Sequence, residues 1–316
     1  MRILITGAGG FVGQHLIHYL QHVESSARLS GIVLSNLDQP TLQGIDLFAA
    51  DLLDAQRVRE VVEAVKPDGI YHLAAQSSPR RSFDIPAETI QNNVVAQINL
   101  FQACLAAGVK PRIVVVGSAD AYGMVQPDDL PVNESTPFRP SNPYAVSKAA
   151  QDLLGLQYFY SHKLPIIRAR PFNHIGPGQR QGFVATDFAS QVARIEAGMQ
   201  PPTLTVGNLT ARRDFTDVRD VVRAYHLLMR SGTPGEAYNI ASSQSRPVQA
   251  VLDTLLKLSQ VPIRVQIDPA RMMPADIPDI RGDYSRLQQA TGWQPTIPFE
   301  QSLSDILDDW RSRIQQ

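Results

Sequence analysis

Three residues in this chain have the types and spacing to move a proton: Ser118, and Tyr144 with Lys148 one helical turn further on, in Tyr-Ala-Val-Ser-Lys. Residues at i and i+4 stack on one face of a helix. A lysine cation beside a phenol favours the phenolate, so the spacing predicts a tyrosine lowered from its usual value of about 10. Such a tyrosine exchanges a proton near neutral pH. Ser118 closes an apolar run, 112–117, that reads as a strand and sets a hydroxyl where a substrate oxygen could be held. A Tyr-x-x-x-Lys pair alone is common on helix surfaces; the N-terminus gives this one its weight.

There, the expected strand 2–6 runs into Gly7-Ala-Gly-Gly10-Phe-Val-Gly13 and then into an amphipathic helix from Gln14. Gly7 suits a tight turn, Gly10 a close approach of backbone to pyrophosphate, and Gly13 close packing of helix on strand. The helix N-terminus offers free N–H groups to phosphate. A strand before the glycines and a helix after them make this a strong dinucleotide signal.

The pattern then repeats. Strands are expected at 31–35, 45–50, 69–75, 112–117 and 164–170, with helices at 55–65, 90–107 and from 145 through 158. Alternating strand and helix with short connections predicts an α/β fold with a doubly wound parallel sheet. Beyond residue 170, Pro/Gly punctuation separates helical patterns near 187–196, 218–229, 248–258 and 299–313. That half reads as a smaller, partly discontinuous cap over the open end of the sheet. The expected division is 1–170 for cofactor, with 214–240 returning to it, and 171–213 with 241–316 for substrate.

A formal net charge of −1 argues against nucleic acid or an anionic membrane as a bulk partner. No apolar run is long enough to span a bilayer, and residues 1–6 do not read as a signal peptide. The single cysteine, Cys104, excludes an intrachain disulfide and fits a reducing compartment, so a soluble cytoplasmic protein is expected. Cys104 and His72 lie in apolar runs and are expected in the core. No metal ligand is assigned.

Ribose selectivity is expected at the end of strand two, where Asp or Glu suits NAD and Arg suits NADP. The chain offers Ser35-Asn36-Leu37-Asp38, with neither directly at the strand end. NADP(H) is favoured, with NAD(H) open if Asp38 serves.

Gly7-x-x-Gly10-x-x-Gly13, Asp51, His72-Leu-Ala-Ala75, Asn93, Ser118 and Tyr144-x-x-x-Lys148 together resemble the extended short-chain dehydrogenase/reductase superfamily over about residues 1–170. The resemblance implies a Rossmann-type sheet with a smaller mixed α/β C-terminal substrate domain. It also implies catalysis by Ser118, Tyr144 and Lys148. Cofactor contacts would come from Gly7, Gly10, Phe11, Val12, Gly13, Asn36, Asp51, Leu52, Leu73, Ala74, Ala75, Asn93, Tyr144, Lys148 and Pro171. The stretches 171–179, 182–184 and 206–220 are similar to GDP-sugar enzymes of this superfamily. The nearest likeness is to GDP-4-dehydro-6-deoxy-D-mannose reductases, which make GDP-D-rhamnose, with GDP-mannose 4,6-dehydratases as near relatives. By that likeness Ser77, Ser78, Asp120, Asn173, Asn208 and Arg213 would meet the GDP-sugar, and the long helices would pair two chains as a four-helix bundle.

Two departures bear on the reading. Dehydratases resemble one another in a Glu where this chain has Asp120, often preceded by Asp or Ser, here Ala119. The shorter carboxylate favours the reductase, with a dehydratase or epimerase on the same Ser/Tyr/Lys site as the alternative; Asp120 is equally readable as a solvated loop acid. Relatives also often carry Arg before the proline that here follows Met273, which leaves Arg271 or Arg281 to substitute. His174, within a Pro/Gly loop, is expected to hold structure rather than act as a second acid. A nucleotide-binding regulator without catalysis is the remaining class, disfavoured by the intact Ser118, Tyr144 and Lys148.

Overall fold

The computed structural model describes residues 1–34, 42–271 and 277–315. The first half alternates β1 (Arg2–Thr6), α1 (Phe11–Val23), β2 (Arg28–Val33), β3 (Asp46–Ala49), α2 (Ala55–Val65) and β4 (Gly69–His72). Two short helices follow, α3 (Pro79–Asp84) and α4 (Pro86–Ile90), then α5 (Ala96–Ala106), β5 (Arg112–Val116), α6 (Pro143–His162) and β6 (Ile166–Pro171). The second half comprises β7 (Asn173–Ile175), α7 (Val184–Glu196), β8 (Thr203–Val206), β9 (Arg212–Asp217), α8 (Val218–Ser231) and β10 (Ala237–Ile240). The chain closes with β11 (Ser245–Pro247), α9 (Val248–Leu258), β12 (Arg264–Ile267), α10 (Ser285–Thr291) and α11 (Phe299–Gln315).

Seven strands form one sheet in the order β10-β6-β5-β4-β1-β2-β3, and every neighbouring pair is parallel. Its strands are apolar on both faces because helices cover both. Ile3 and Ile5 of β1 pack with Leu16 and Leu20 of α1 and Tyr225 and Leu228 of α8. Leu4, one residue out of phase, packs on the other side with Val58 and Val62 of α2 and Phe101 and Cys104 of α5. The strand order reverses between β1 and β4, the place where doubly wound sheets open a crevice at their C-terminal ends. Beside it, α7, α9 and α11 enclose a separate apolar core with Leu204 and Val206 of β8. A three-stranded sheet, β11-β9-β7, and a two-stranded one, β12-β8, complete that half.

Three details differ from the sequence reading. β2 starts at Arg28, three residues early, because buried Ser30 interrupts the apolar pattern that marks strands. The expected helix 90–107 is broken by a π-helical turn, Gln91–Val95, between α4 and α5. In the second half, β7 to β12 are strands the sequence reading did not draw; they run three to six residues, too few to display a period. Asn36 and Asp38, on which the ribose argument rests, lie outside the described residues, as does Met273.

Candidate active site

The glycine loop is built by exclusion. Gly7 sits at φ +70°, and a Cβ there would meet Ala74 Cα and N at 3.0 Å. A Cβ on Gly13 would lie 2.4 Å from the Gly7 carbonyl and 2.6 Å from that of Ala8. Gly13 thus packs against the loop's own backbone rather than against the strand. Gly10 caps α1 with no side chain bonded to the first-turn N–H groups, so these point at whatever anion the loop holds. Opposite the loop, Ala74 N donates to Thr6 Oγ1 at 3.2 Å and Leu73 N to Thr6 O at 3.3 Å. Thr6 Oγ1 also meets His72 Nδ1 at 2.9 Å. His72 is a core residue, pushed down to about 3 by burial and then by the charge of Lys148.

β5 delivers Ser118 at its C-terminal end. There its Oγ accepts from Asp120 N at 3.1 Å and caps the 3-10 turn Ala119–Tyr122. α6 delivers Tyr144 in its first turn, fixed by Pro143 and by Asn142 Oδ1, which accepts from Ala145 N at 2.8 Å. The Ser118 side chain lies near enough to the Tyr144 phenol to pull its proton affinity down. Lys148 Nζ donates to Val116 O at 2.9 Å and lies 5.9 Å from the centre of the Tyr144 ring. The three expected groups therefore meet at the C-terminal edge of the sheet.

Their electrostatics differ from the expectation. Burial raises Tyr144 above its ordinary value, the charge of Asp120 raises it further, and the Ser118 side chain opposes both. Lys148 is itself pushed down to about 7 by burial. Desolvation dominates at the phenol, and Lys148 turns its ammonium to a carbonyl instead. Asp120 is no solvated loop acid: its carboxyl is half-buried, raised by desolvation and partly offset by Arg213.

Asn93 is placed differently from a ligand-facing side chain. It is fully buried on the π-helical turn, with Oδ1 accepting from Gln76 N at 2.7 Å. Its Nδ2 donates to Gln76 O at 3.1 Å and to Ser147 Oγ at 2.8 Å. It therefore clamps the loop after β4 to the helix of Tyr144 and Lys148. Asp51, exposed past β3, turns the chain by accepting from Leu53 N at 2.9 Å, while Leu52 packs in the core. Pro171 is buried at the end of β6.

Among the expected substrate contacts, Ser77 and Asn173 are exposed. Ser78 caps α3, its Oγ accepting from Arg81 N at 3.2 Å. Asn208 Oδ1 accepts from Thr210 N and Oγ1 at 3.0 and 2.8 Å, shaping the turn after β8. Arg213 Nη1 donates to the carbonyls of Arg212 and Ile277 at 2.8 and 2.6 Å. Arg281 is exposed, with its own carbonyl accepting from Val132 N. His174 holds Phe172 O through Nδ1 at 3.2 Å and stacks on Phe11, while His15 Nε2 holds Pro177 O at 2.8 Å. These contacts tie the 171–179 loop to α1. Sequence reasoning missed Gln76 and Ser147; the position of Ser147 between Tyr144 and Lys148 was the available signal. An open polar cleft of about 470 Å³ lies apart from Ser118, Tyr144 and Lys148, lined by Arg80, Gln181, Asp187, Ser190, Gln191, Asp268 and Ala270.

The sequence profile described as GDP-mannose 4,6 dehydratase matches residues 4–306. The chain belongs to that family. Within the GDP-mannose 4,6-dehydratase family it is 38% identical to GDP-6-deoxy-D-mannose reductase of Pseudomonas aeruginosa, over 100% of this chain and 99% of that protein. GDP-mannose 4,6 dehydratase 2 of Arabidopsis thaliana is 29% identical over 97% of this chain and 86% of its own. Among solved structures, RMD from Pseudomonas aeruginosa complexed with NADPH superposes with a TM-score of 0.86, at 38% identity and 99% coverage of each chain.

Against that family background, the described residues fit a nicotinamide dinucleotide on their own geometry. The loop carbonyls of Gly7 and Ala8 leave Gly13 no room for a side chain, and the first turn of α1 carries no capping group to compete with phosphate. Lys148, with one carbonyl partner, retains ammonium donors for ribose hydroxyls.

Proposed function

We propose that this protein reduces the C4 ketone of GDP-4-dehydro-6-deoxy-D-mannose with NADPH, giving GDP-D-rhamnose. The observation that carries the reading is the convergence of Ser118, Tyr144 and Lys148 at the C-terminal edge of the sheet, in a chain 38% identical over its full length to a reductase. The bound cofactor would supply the hydride, and NAD(H) is the alternative donor. Ser118 holds the substrate oxygen, where negative charge builds as the ketone is reduced. Tyr144 gives that oxygen its proton. Lys148 compensates the phenolate left behind and orients the ribose. Burial keeps the phenol protonated until then, which suits an acid better than a base.

The same reading assigns the cofactor to residues 1–170 with 214–240, including the glycine loop, Asp51 and the Leu73–Ala75 segment. The GDP-sugar falls to 171–213 with 241–316, helped by Ser77, Ser78 and Asp120 from the other side. Asn173 would meet the sugar, and Asn208 and Arg213 the diphosphate, which an arginine fork matches. Two chains would associate through α5 and α6: Val146, Leu153 and Tyr160 recur every seven residues along α6 and are 44%, 57% and 64% exposed. A helix with such a stripe wants a partner. The buried thiol of Cys104 suits the cytoplasm.

The test is to mix purified protein with GDP-4-dehydro-6-deoxy-D-mannose and NADPH and follow the reduced-nicotinamide absorbance. Loss of absorbance with a new GDP-deoxyhexose is the expected result. No loss, together with conversion of GDP-mannose to its keto product without added cofactor, would make the protein a dehydratase.

A further inference from the structure

Tyr144, Lys148 and Asp152 follow one another at helical spacing and share one face of α6. Asp152 is only 2% exposed. Its Oδ1 accepts from Arg168 Nη1 at 2.6 Å and Arg170 Nη2 at 2.9 Å, and its Oδ2 from Arg170 Nε at 2.8 Å. Both arginines belong to β6, and Arg168 also donates to Gly235 O at 2.8 Å. Arg170 continues the chain of contacts, donating through Nη1 to Tyr122 Oη at 2.8 Å and to Glu134 O at 3.0 Å. The Tyr122 hydroxyl donates to Asn239 Oδ1 of β10 at 2.7 Å. Tyr122 closes the 3-10 turn that Ser118 opens.

We propose that Asp152 is a positioning residue for the proton transfer, setting α6 against the strands so that Lys148 and Tyr144 meet the groups delivered by β5. This rests on the role given above to Ser118, Tyr144 and Lys148. One arm of the network runs from Asp152 along the helix to Lys148. The other runs through Arg170 and Tyr122 to the turn of Ser118. Apolar packing would hold a helix to a sheet without two buried guanidiniums, and replacing buried ion pairs by hydrophobic residues often leaves stability unchanged or improved. What the charged fork adds is direction: a carboxylate held by three donors permits neither sliding nor rotation. Displacement of a catalytic group by about 1 Å can cost 10²-fold in rate.

The test compares wild type, Asp152→Asn and Tyr122→Phe; the last removes one hydroxyl and leaves the Asp152–arginine pairs in place. With NADPH and the 4-keto sugar, both variants are expected to lose kcat, by about 10- to 100-fold for Asp152→Asn and several-fold for Tyr122→Phe. KM for NADPH should change less than about threefold, because the glycine loop is untouched, and the pH profile of kcat should move. A second readout needs no turnover: with ¹³Cε-labelled lysine, the Lys148 resonance should shift in both variants while Lys66, Lys110, Lys163 and Lys257 stay. If Asp152→Asn does not fold, Tyr122→Phe decides by the same two measurements. Wild-type kcat, pH profile and Lys148 resonance in the folded variants would overturn the proposal. A wild type inert on the keto sugar would count against the assigned reaction instead, and the lysine spectra alone would then decide whether Asp152 positions Lys148.

Discussion

Replacing Lys148 by methionine should stabilise the fold while abolishing reduction, and the size of the effect should depend on pH. Lys148 is 3% exposed and is pushed from 10.5 to about 7 by burial alone. The folded state therefore binds its proton more weakly than the unfolded chain does. Below pH 7 both states are protonated and folding bears the full cost; at about 1.4 kcal/mol per pH unit that is about 5 kcal/mol. Between pH 7 and 10.5 the folded lysine is neutral while the unfolded one is still charged, so stability rises with pH. Working the linkage through gives a cost of about 4 kcal/mol at pH 7 and about 2 kcal/mol at pH 9. Methionine fills a similar volume with no charge. It leaves Val116 O without the ammonium, a loss of about 1–3 kcal/mol that does not vary with pH. Nucleotide-free wild type and Lys148→Met, melted side by side, should differ by about 2 kcal/mol more at pH 7 than at pH 9, or about 3 °C in Tm. His72, which feels the Lys148 charge, is neutral across this pH range, and the remaining titrating groups are common to both proteins and cancel. Parallel pH dependences would refute the reasoning, since they would mean that Lys148 keeps its proton in the fold.

Tyr144→Phe should bind NADPH as wild type does and lose about 10²–10⁴-fold in kcat, the usual worth of a positioned acid; equal rates would remove the phenol from the mechanism. Gly13→Ala drives a Cβ to 2.4 Å from the Gly7 carbonyl, so NADPH affinity, measured by fluorescence titration, should fall at least tenfold, and unchanged affinity would show that the loop bends freely. Leu153→Glu puts a charge in the exposed stripe of α6, and light scattering should report a monomer where wild type is a dimer; a wild type already monomeric would reject that interface.

The sheet was legible because its first six strands carry short apolar runs that alternate with glycine turns and helices. That Ser118, Tyr144 and Lys148 come together was legible because helical spacing fixes Tyr144 against Lys148, and Ser118 ends an unmistakable strand. Their charge state was not. Whether a lysine lowers a tyrosine or burial raises it depends on how much protein surrounds both, and that is a property of the packed core rather than of spacing. Asn93 lay in a motif, but only the π-helical turn shows its carboxamide turned toward Gln76 and Ser147. The partners of Arg170, Asp152 and Tyr122, come from a helix and a turn well before it in sequence, which local pattern cannot connect. The small sheets of the second half were missed for a simpler reason: three residues contain too little alternation to read.

The way the chain passes between its sheets has a practical side. It leaves the seven-stranded sheet after β6, builds β7, β8 and β9, returns through α8 to place β10 at the sheet's edge, and departs again into β11. A further return comes in α10, which packs on α8 and β10 before α11 rejoins the other core, so the smaller sheets are stitched on at several crossings rather than appended. Nicking one crossing would leave the halves joined by the others, and deleting everything after β6 would also strip off the edge strand β10 and the helix α8 that covers β1. An engineer wishing to give this scaffold another sugar cannot graft a C-terminal piece. The exchange must be made as separate cassettes, 172–217, 241–271 and 299–315, with α8, β10 and α10 kept, since Leu287 and Trp293 pack in the core of the seven-stranded sheet.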